Sequence, residues 1–146
     1  MSVSRLRTLL FLIPLLPALS LAAPGRWHQG DLSIRYNALP ASALPALSLK
    51  QLGVTDAAHK GLLNILVTRG TDANETSLPA DIKARAMTES GSPVRIDVRE
   101  IRDANGISYL GVYRLEHTST LRFDLDITPQ GAPTQHIQFK HTLVVE

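Results

Sequence analysis

A chain of 146 residues suits one domain of ordinary size and leaves little room for a second. It carries 15 Lys and Arg against 13 Asp and Glu, and no Cys, which excludes disulfides, thiolate metal sites and a cysteine nucleophile. At 44% hydrophobic and 19% charged, the composition is that of a globular protein and excludes wholesale disorder.

Residues 1–22 read as a secretory signal. Arg5 and Arg7 form a positive n-region, and Leu9 to Leu19 form an apolar stretch that is too short to span a bilayer. Ser20 and Ala22 stand where a signal peptidase reads small residues, so cleavage is expected after Ala22 and export to the periplasm with it. No Cys follows that could be lipidated. Cleavage removes Arg5 and Arg7 and leaves 13 basic against 13 acidic residues, so the pI of about 9.2 belongs to the targeting segment. The neutral mature chain, 23–146, offers no electrostatic case for nucleic acid or for stable attachment to a membrane after cleavage.

The mature chain opens on a polar lead-in, 23–30, that contains Trp27 and His28. Leu32, Ile34 and Tyr36 then alternate with polar residues as in a half-buried strand. Pro45, the pairs Leu44/Leu47 and Leu49/Leu52, and Gly53 predict one short helix over 45–52. Gly61 to Arg69 is apolar on both parities apart from Asn64 and reads as a central strand covered on both faces. A buried amide there must be hydrogen-bonded, so Asn64 is expected to tie a neighbouring backbone or to touch a ligand.

Strands are expected next around Ile82 to Ala86, Val94 to Val98, Ile107 to His117, Leu121 to Ile127 and Ile137 to Val145. Asn105-Gly106 predicts a two-residue hairpin loop. That register sets Ile96 opposite Leu115 and Val98 opposite Tyr113, with Asp97 facing Arg114 and Arg95 facing Glu116 on the other side. Near the turn the pattern changes phase at Glu100, Ile101 and Arg102, which implies either a bulge or a covering element. Seven strands with frequent turns and no repeat point to an all-β, antiparallel, immunoglobulin-like sandwich, with a closed barrel as the alternative.

Several segments together resemble a known family. They are Gly30 to Leu39, Asn64-Ile65, Arg99-Glu100-Ile101-Arg102-Asp103, Tyr109 and Leu121-Arg122-Phe123-Asp124. In order and spacing they resemble the small exported bacterial proteins catalogued as domain of unknown function 4426. The resemblance implies a signal peptide and a single β-rich domain, and it implies no reaction.

No catalytic constellation stands out. The five histidines show none of the spacings that make a metal site, and no Ser lies in a G-x-S-x-G elbow, so no metal, cofactor or catalytic residue is expected. A charged set, Arg99, Glu100, Arg102, Arg114, Arg122 and Asp124, with Ile101, Leu110 and Val112 among it, makes a candidate interaction surface. The three apolar residues either bury under the Leu-rich segment 44–52 or form an exposed patch. The expectation is a non-enzymatic module that binds an envelope protein or peptide. The alternative is a small-ligand sandwich with Asn64, Trp27 or Tyr109 lining a pocket between the sheets.

Overall fold

The structure, a computed structural model, describes residues 25–145; the expected signal peptide and its cleavage site lie outside them. The strands are β1 (Gly25–Gln29), β2 (Leu32–Pro40), β3 (Lys60–Arg69), β4 (Thr76–Ser77) and β5 (Ala80–Thr88). They continue as β6 (Pro93–Val94), β7 (Asp97–Asp103), β8 (Gly106–Arg114), β9 (Ser119–Pro129) and β10 (Gln135–Leu143). The larger sheet runs β1-β2-β3-β8-β7, with β4 also pairing β3, and the smaller runs β10-β9-β5-β6. Every pairing is antiparallel. The two sheets make the expected all-β sandwich, with ten strands among the described residues in place of seven: β1 and the two-residue β4 are additional, and the strand expected over Val94 to Val98 is divided into β6 and β7.

Alternation decides what lies between the sheets. Ile34, Leu63, Ile65, Val67 and Tyr113 enter from the larger sheet and Phe123, Leu125, Ile127 and Leu143 from the smaller, all buried. Tyr36, Phe139 and Phe123 stack in series, with centroids 4.8 and 4.7 Å apart, and Tyr113 meets Phe123 edge-on at 5.6 Å. Two of these rings lie across glycines of a neighbouring strand. A Cβ on Gly25 would sit 2.2 Å from the Tyr36 ring, and one on Gly61 would sit 2.1 Å from the Tyr113 ring. Each glycine thus gives a tyrosine room to lie flat over the sheet. Burial pushes the Tyr113 phenol well above its ordinary pKa.

A second, smaller core lies on the outer face of the larger sheet. The long β2–β3 connection carries the helix α1 (Ala46–Gln51) and folds back over that face. Pro45 precedes α1, and its end is a Schellman turn: Gly53, at φ 68°, donates to Lys50 O and Val54 donates to Leu49 O. Leu39, Leu44, Leu49, Leu52 and Val54 then pack on Leu62, Leu110, Ile101 and Val112. This covering segment explains the change of phase in β7, and the β7–β8 pairing runs without interruption from Asp97 to Asp103. Leu47 is the exception on α1: it is 67% exposed and contributes nothing to the cover.

Three expectations need correction. The lead-in is strand β1, joined to β2 by a two-residue loop, Gly30-Asp31, with Gly30 at φ 60°. Val94 and Val98 belong to different sheets. Val94, Ile96 and Val98 all face the main core, so the apolar period survives while the chain changes hydrogen-bonding partner between β6 and β7. The hairpin loop is Ala104-Asn105, with Asp103 paired to Gly106, and Asp103 Oδ1 accepts from the Asn105 amide at 2.7 Å. Asp at the first and Gly at the fourth position favour a type I turn, and Asn105 has no positive φ, so a type I′ turn is excluded. The register shifts by two residues, which keeps each side chain on its expected face but gives it a new partner. Val98 faces Gly111, Asp97 faces Val112 and Arg99 faces Leu110. The charges pair along the chain instead of across it, Arg95 with Asp97 at 3.0 Å and Arg114 with Glu116 at 2.6 Å.

Gly106 still has a positive φ, 118°, and a Cβ there would sit 2.2 Å from Ser77 Oγ, which accepts from the Ile107 amide at 2.8 Å. Gly106→Val is therefore expected to cost more than about 1 kcal/mol and to lower Tm by about 4 °C or more. A thermal melt checks it; a melt like the parent's would contradict this turn.

Candidate functional site

The candidate interaction residues divide between opposite sides of the sandwich. Arg99, Ile101, Leu110, Val112 and Arg114 point outward from β7 and β8 of the larger sheet. Leu110 is only 5% exposed, and Ile101 and Val112 are half-buried beside it under the 39–54 segment. Glu100 and Arg102 lie on the other parity of the same edge strand, paired with each other, and Glu100 also accepts from Tyr109 Oη at 3.4 Å. Arg122 and Asp124 lie on β9, on the outer face of the smaller sheet. The nine residues therefore do not form one surface. Sequence order could not show this, because sheet membership is decided by non-local pairing.

Asn64 also differs from expectation: it is exposed. The covering segment reaches Leu62 and Leu110 but stops there, and Asn64 and Leu66 face outward just beyond its edge. A groove of about 390 Å³ begins at that edge, lined by Arg26, Arg35, Tyr36, Asn37, Asn64 and Leu66, with Gly25 at one end. Its floor follows from register. Asn37 and Asn64 are directly opposed on β2 and β3, and Arg26, Arg35 and Leu66 make the adjoining row across β1, β2 and β3. The Tyr36 ring itself lies on the core side of the sheet, against Phe139 and over Gly25.

Glu75 holds the arginine rim. Its carboxylate accepts from Arg35 Nη2 at 2.9 and 2.8 Å and lies 3.6 Å from Arg26 Nη2, and it is only 15% exposed. The β3–β4 loop is thereby tied to β2 across one end of the groove. Asn37 Oδ1 is buried and accepts no hydrogen bond from another described residue. Reading the chain for motifs misses Arg26, Arg35, Asn37 and Glu75, because none belongs to a spaced pattern. The one available signal was Arg35 and Asn37 on the polar parity of a strand.

The region between the sheets is occupied by the aromatic stack. Trp27 packs against the main core, and buried Tyr109 uses its hydroxyl on the Ala80 amide at 2.8 Å and on Glu100. Asn64, Trp27 and Tyr109 therefore do not meet around one cavity. Asn64 alone lines the outer groove.

A third set of polar residues lies on the outer face of the smaller sheet. Asp126 accepts from Arg85 at 3.0 Å and pairs with His136; the His136 and Arg85 hydrogen bonds hold its carboxyl below the usual range. Among the described residues, no three His, Asp or Glu side chains gather as metal ligands would. Among them, too, no helix is long and apolar enough to cross a membrane.

A two-sheet sandwich with a helical cover on one outer face defines the class. The chain belongs to the family described as Domain of unknown function (DUF4426), whose model matches residues 27–146. Among solved structures it is similar to a DUF4426 family protein from Pseudomonas aeruginosa, at 19% identity and a TM-score of 0.71, covering 84% of this chain and 96% of that one. It is also similar to two structures of FetP from uropathogenic Escherichia coli strain F11, each at 10% identity. One is a copper-bound variant carrying a single substitution, with a TM-score of 0.59, covering 86% of this chain and 99% of that one. The other is the as-isolated protein expressed in the periplasm, with a TM-score of 0.54, covering 84% and 96%. No curated protein matches the chain.

Proposed function

We propose that this is an exported periplasmic protein that binds another protein or a peptide in the groove on its larger sheet and performs no chemistry. The observation that carries the reading is the groove's composition. Two opposed amides, an apolar Leu66 and an arginine rim can hold a polypeptide through hydrogen bonds and contact area. The groove lining holds no carboxylate, imidazole or aliphatic hydroxyl, so it lacks a nucleophile with its base. Glu75 beside it is engaged by two guanidinium groups. Export rests on the signal-like residues 1–22, and the periplasmic expression named for one FetP structure supports the same compartment.

The test is a blocked groove. Asn64→Trp places a large ring on an exposed position, so the melt should stay that of the parent. Capture of a specific partner from the envelope fraction should fall by about tenfold or more, about 1.4 kcal/mol of binding. Equal capture by parent and variant would remove the groove from the function.

A further inference from the structure

The opposite face of the sandwich carries its side chains in rows across β5, β9 and β10. One row is Lys83, Asp126 and His136, and the next is Arg85, Asp124 and Gln138. The third is Met87, Arg122 and Lys140, followed by Thr120 beside Thr142. Both acids are engaged by their own rows. Arg85 bridges Asp124 at 3.4 Å and Asp126 at 3.0 Å, His136 pairs with Asp126, and Gln138 donates to Asp124 at 3.4 Å.

Arg122 and Lys140 are different. They are directly opposed in the β9–β10 register, an arrangement that like charges disfavour. Among the described residues neither has an ion pair or a side-chain hydrogen bond; Lys50, Arg69, Lys83 and Arg99 also lack one, but none of these stands directly opposite another cation. Thr120 and Thr142 next to them share one hydrogen bond of 2.8 Å, which leaves a hydroxyl proton available for a further acceptor. The block is thus two cations and a hydroxyl donor with no anion of its own.

Apolar side chains flank it on both sides. Met87, beside Arg122, and Val144, beyond Thr142, are each 43% exposed. Two shallow depressions adjoin the block. One, of about 260 Å³, is lined by Arg85, Met87, Arg122, Asp124 and Gln138, the Asp124 carboxylate there being held by Arg85 and Gln138; the other, of about 420 Å³, is lined by Lys140, Thr142 and Val144.

We propose that Arg122 and Lys140 bind a carboxylate carried next to an apolar side chain, as at the C terminus of a peptide that ends in an apolar residue. The two cations and the threonine hydroxyl take the carboxylate, and Met87 or Val144 takes the terminal side chain. Charge complementarity selects this occupant over an anionic bilayer. Two cations are few for a bilayer, where each basic residue near the surface contributes little by itself, and Asp124 and Asp126 in the neighbouring rows lower the positive charge that an anionic plane would meet.

The experiment titrates the mature protein with acetyl-Ala-Ala-Leu as the free acid and as the amide, reading the NMR signals of the Arg122 and Lys140 side chains in the parent and the backbone amide signals of Thr120 and Thr142 in parent and variant alike. The acid is expected to shift both signals to saturation, and the amide to bind about tenfold more weakly or worse. Arg122→Gln with Lys140→Gln should lose the acid's binding and melt no lower than the parent, since the change relieves a repulsion. Equal binding of acid and amide overturns the proposal, as does retained binding by the double variant. A double variant that melts well below the parent also overturns it, since the pair would then be structural. Shifts produced by inorganic phosphate and not by the acid peptide would make this a phosphate site. Sedimentation with phosphatidylglycerol vesicles and no peptide shift would make it a membrane surface. Either of these two results overturns it too.

Discussion

Leu110→Lys should unfold the domain or lower its Tm by more than about 10 °C, a cost of at least about 3 kcal/mol. Leu110 points out of the sandwich, yet it is 5% exposed because Ala41, Leu49, Leu52 and Val54 close over it. A lysine there has three ways to respond, and each is unfavourable. It can bury an ammonium with no carboxylate in the cluster. It can lift the cover and expose the leucines that hold it down. It can also reach toward the sheet edge, where Arg99 stands directly opposite and repels it. Leu110→Ala isolates the packing loss from the charge and should cost about 2–5 kcal/mol. Leu47→Lys is the control: Leu47 shares the covering segment but is 67% exposed, so its melt should match the parent's. If Leu110→Lys melted like Leu47→Lys, the covering segment would not be closed on β8.

What could be read in advance follows from how far each signal reaches along the chain. Alternation in β2, β8 and β9 reports which side chains face the core, and Ile34, Tyr113, Phe123 and Leu125 are all buried as expected. The helix was legible for the same reason: Pro45 and Gly53 are local start and stop signals, and Gly53 takes the positive φ that the stop requires. Pairing is a different matter. Nothing in Val94-Arg95-Ile96-Asp97-Val98 says that the chain leaves β5 for β8 midway, because both partners present the same core to it. The turn at Asp103–Gly106 shows the limit on a smaller scale. Asn-Gly is a strong loop signal, but Asp103 captures the Asn105 amide and moves the loop back by one residue.

The candidate site was less legible than the fold. Asn64 stood out as a polar interruption of an apolar run, and that interruption does mark a special place. Its burial was inferred from the residues on either side, and burial on the outer face depends on where a distant segment stops. The covering leucines end at Leu62 and Leu110, so the next position inward along β3 opens to solvent. Glu75 closes the groove's other end from a polar loop with no hydrophobic periodicity to place it.

The main core should be most sensitive at Phe123. Phe123→Ala is expected to cost about 3–5 kcal/mol, toward the upper end, against a total stability of about 5–15 kcal/mol for a domain. Phe123 is wholly buried, stacked on Phe139 at 4.7 Å and met edge-on by Tyr113 at 5.6 Å. The cost of a truncation depends on whether the site can collapse, and this one is braced on every side. Within its own sheet Phe123 stands between Ala86 of β5 and Phe139 of β10, so each neighbouring backbone is held by a ladder of hydrogen bonds. Across the core Tyr113 lies flat over Gly61 and cannot swing in without leaving that seat. Ala86 is too small to reach the space. Phe139→Ala removes the same number of atoms from a half-buried position at the edge strand, where solvent and neighbours can fill in, and should cost distinctly less. Urea melts of the two variants decide the order: the midpoint should fall further for Phe123→Ala at an unchanged slope. Equal shifts, or the reverse order, would mean that the ring stack is not the braced centre of the sandwich.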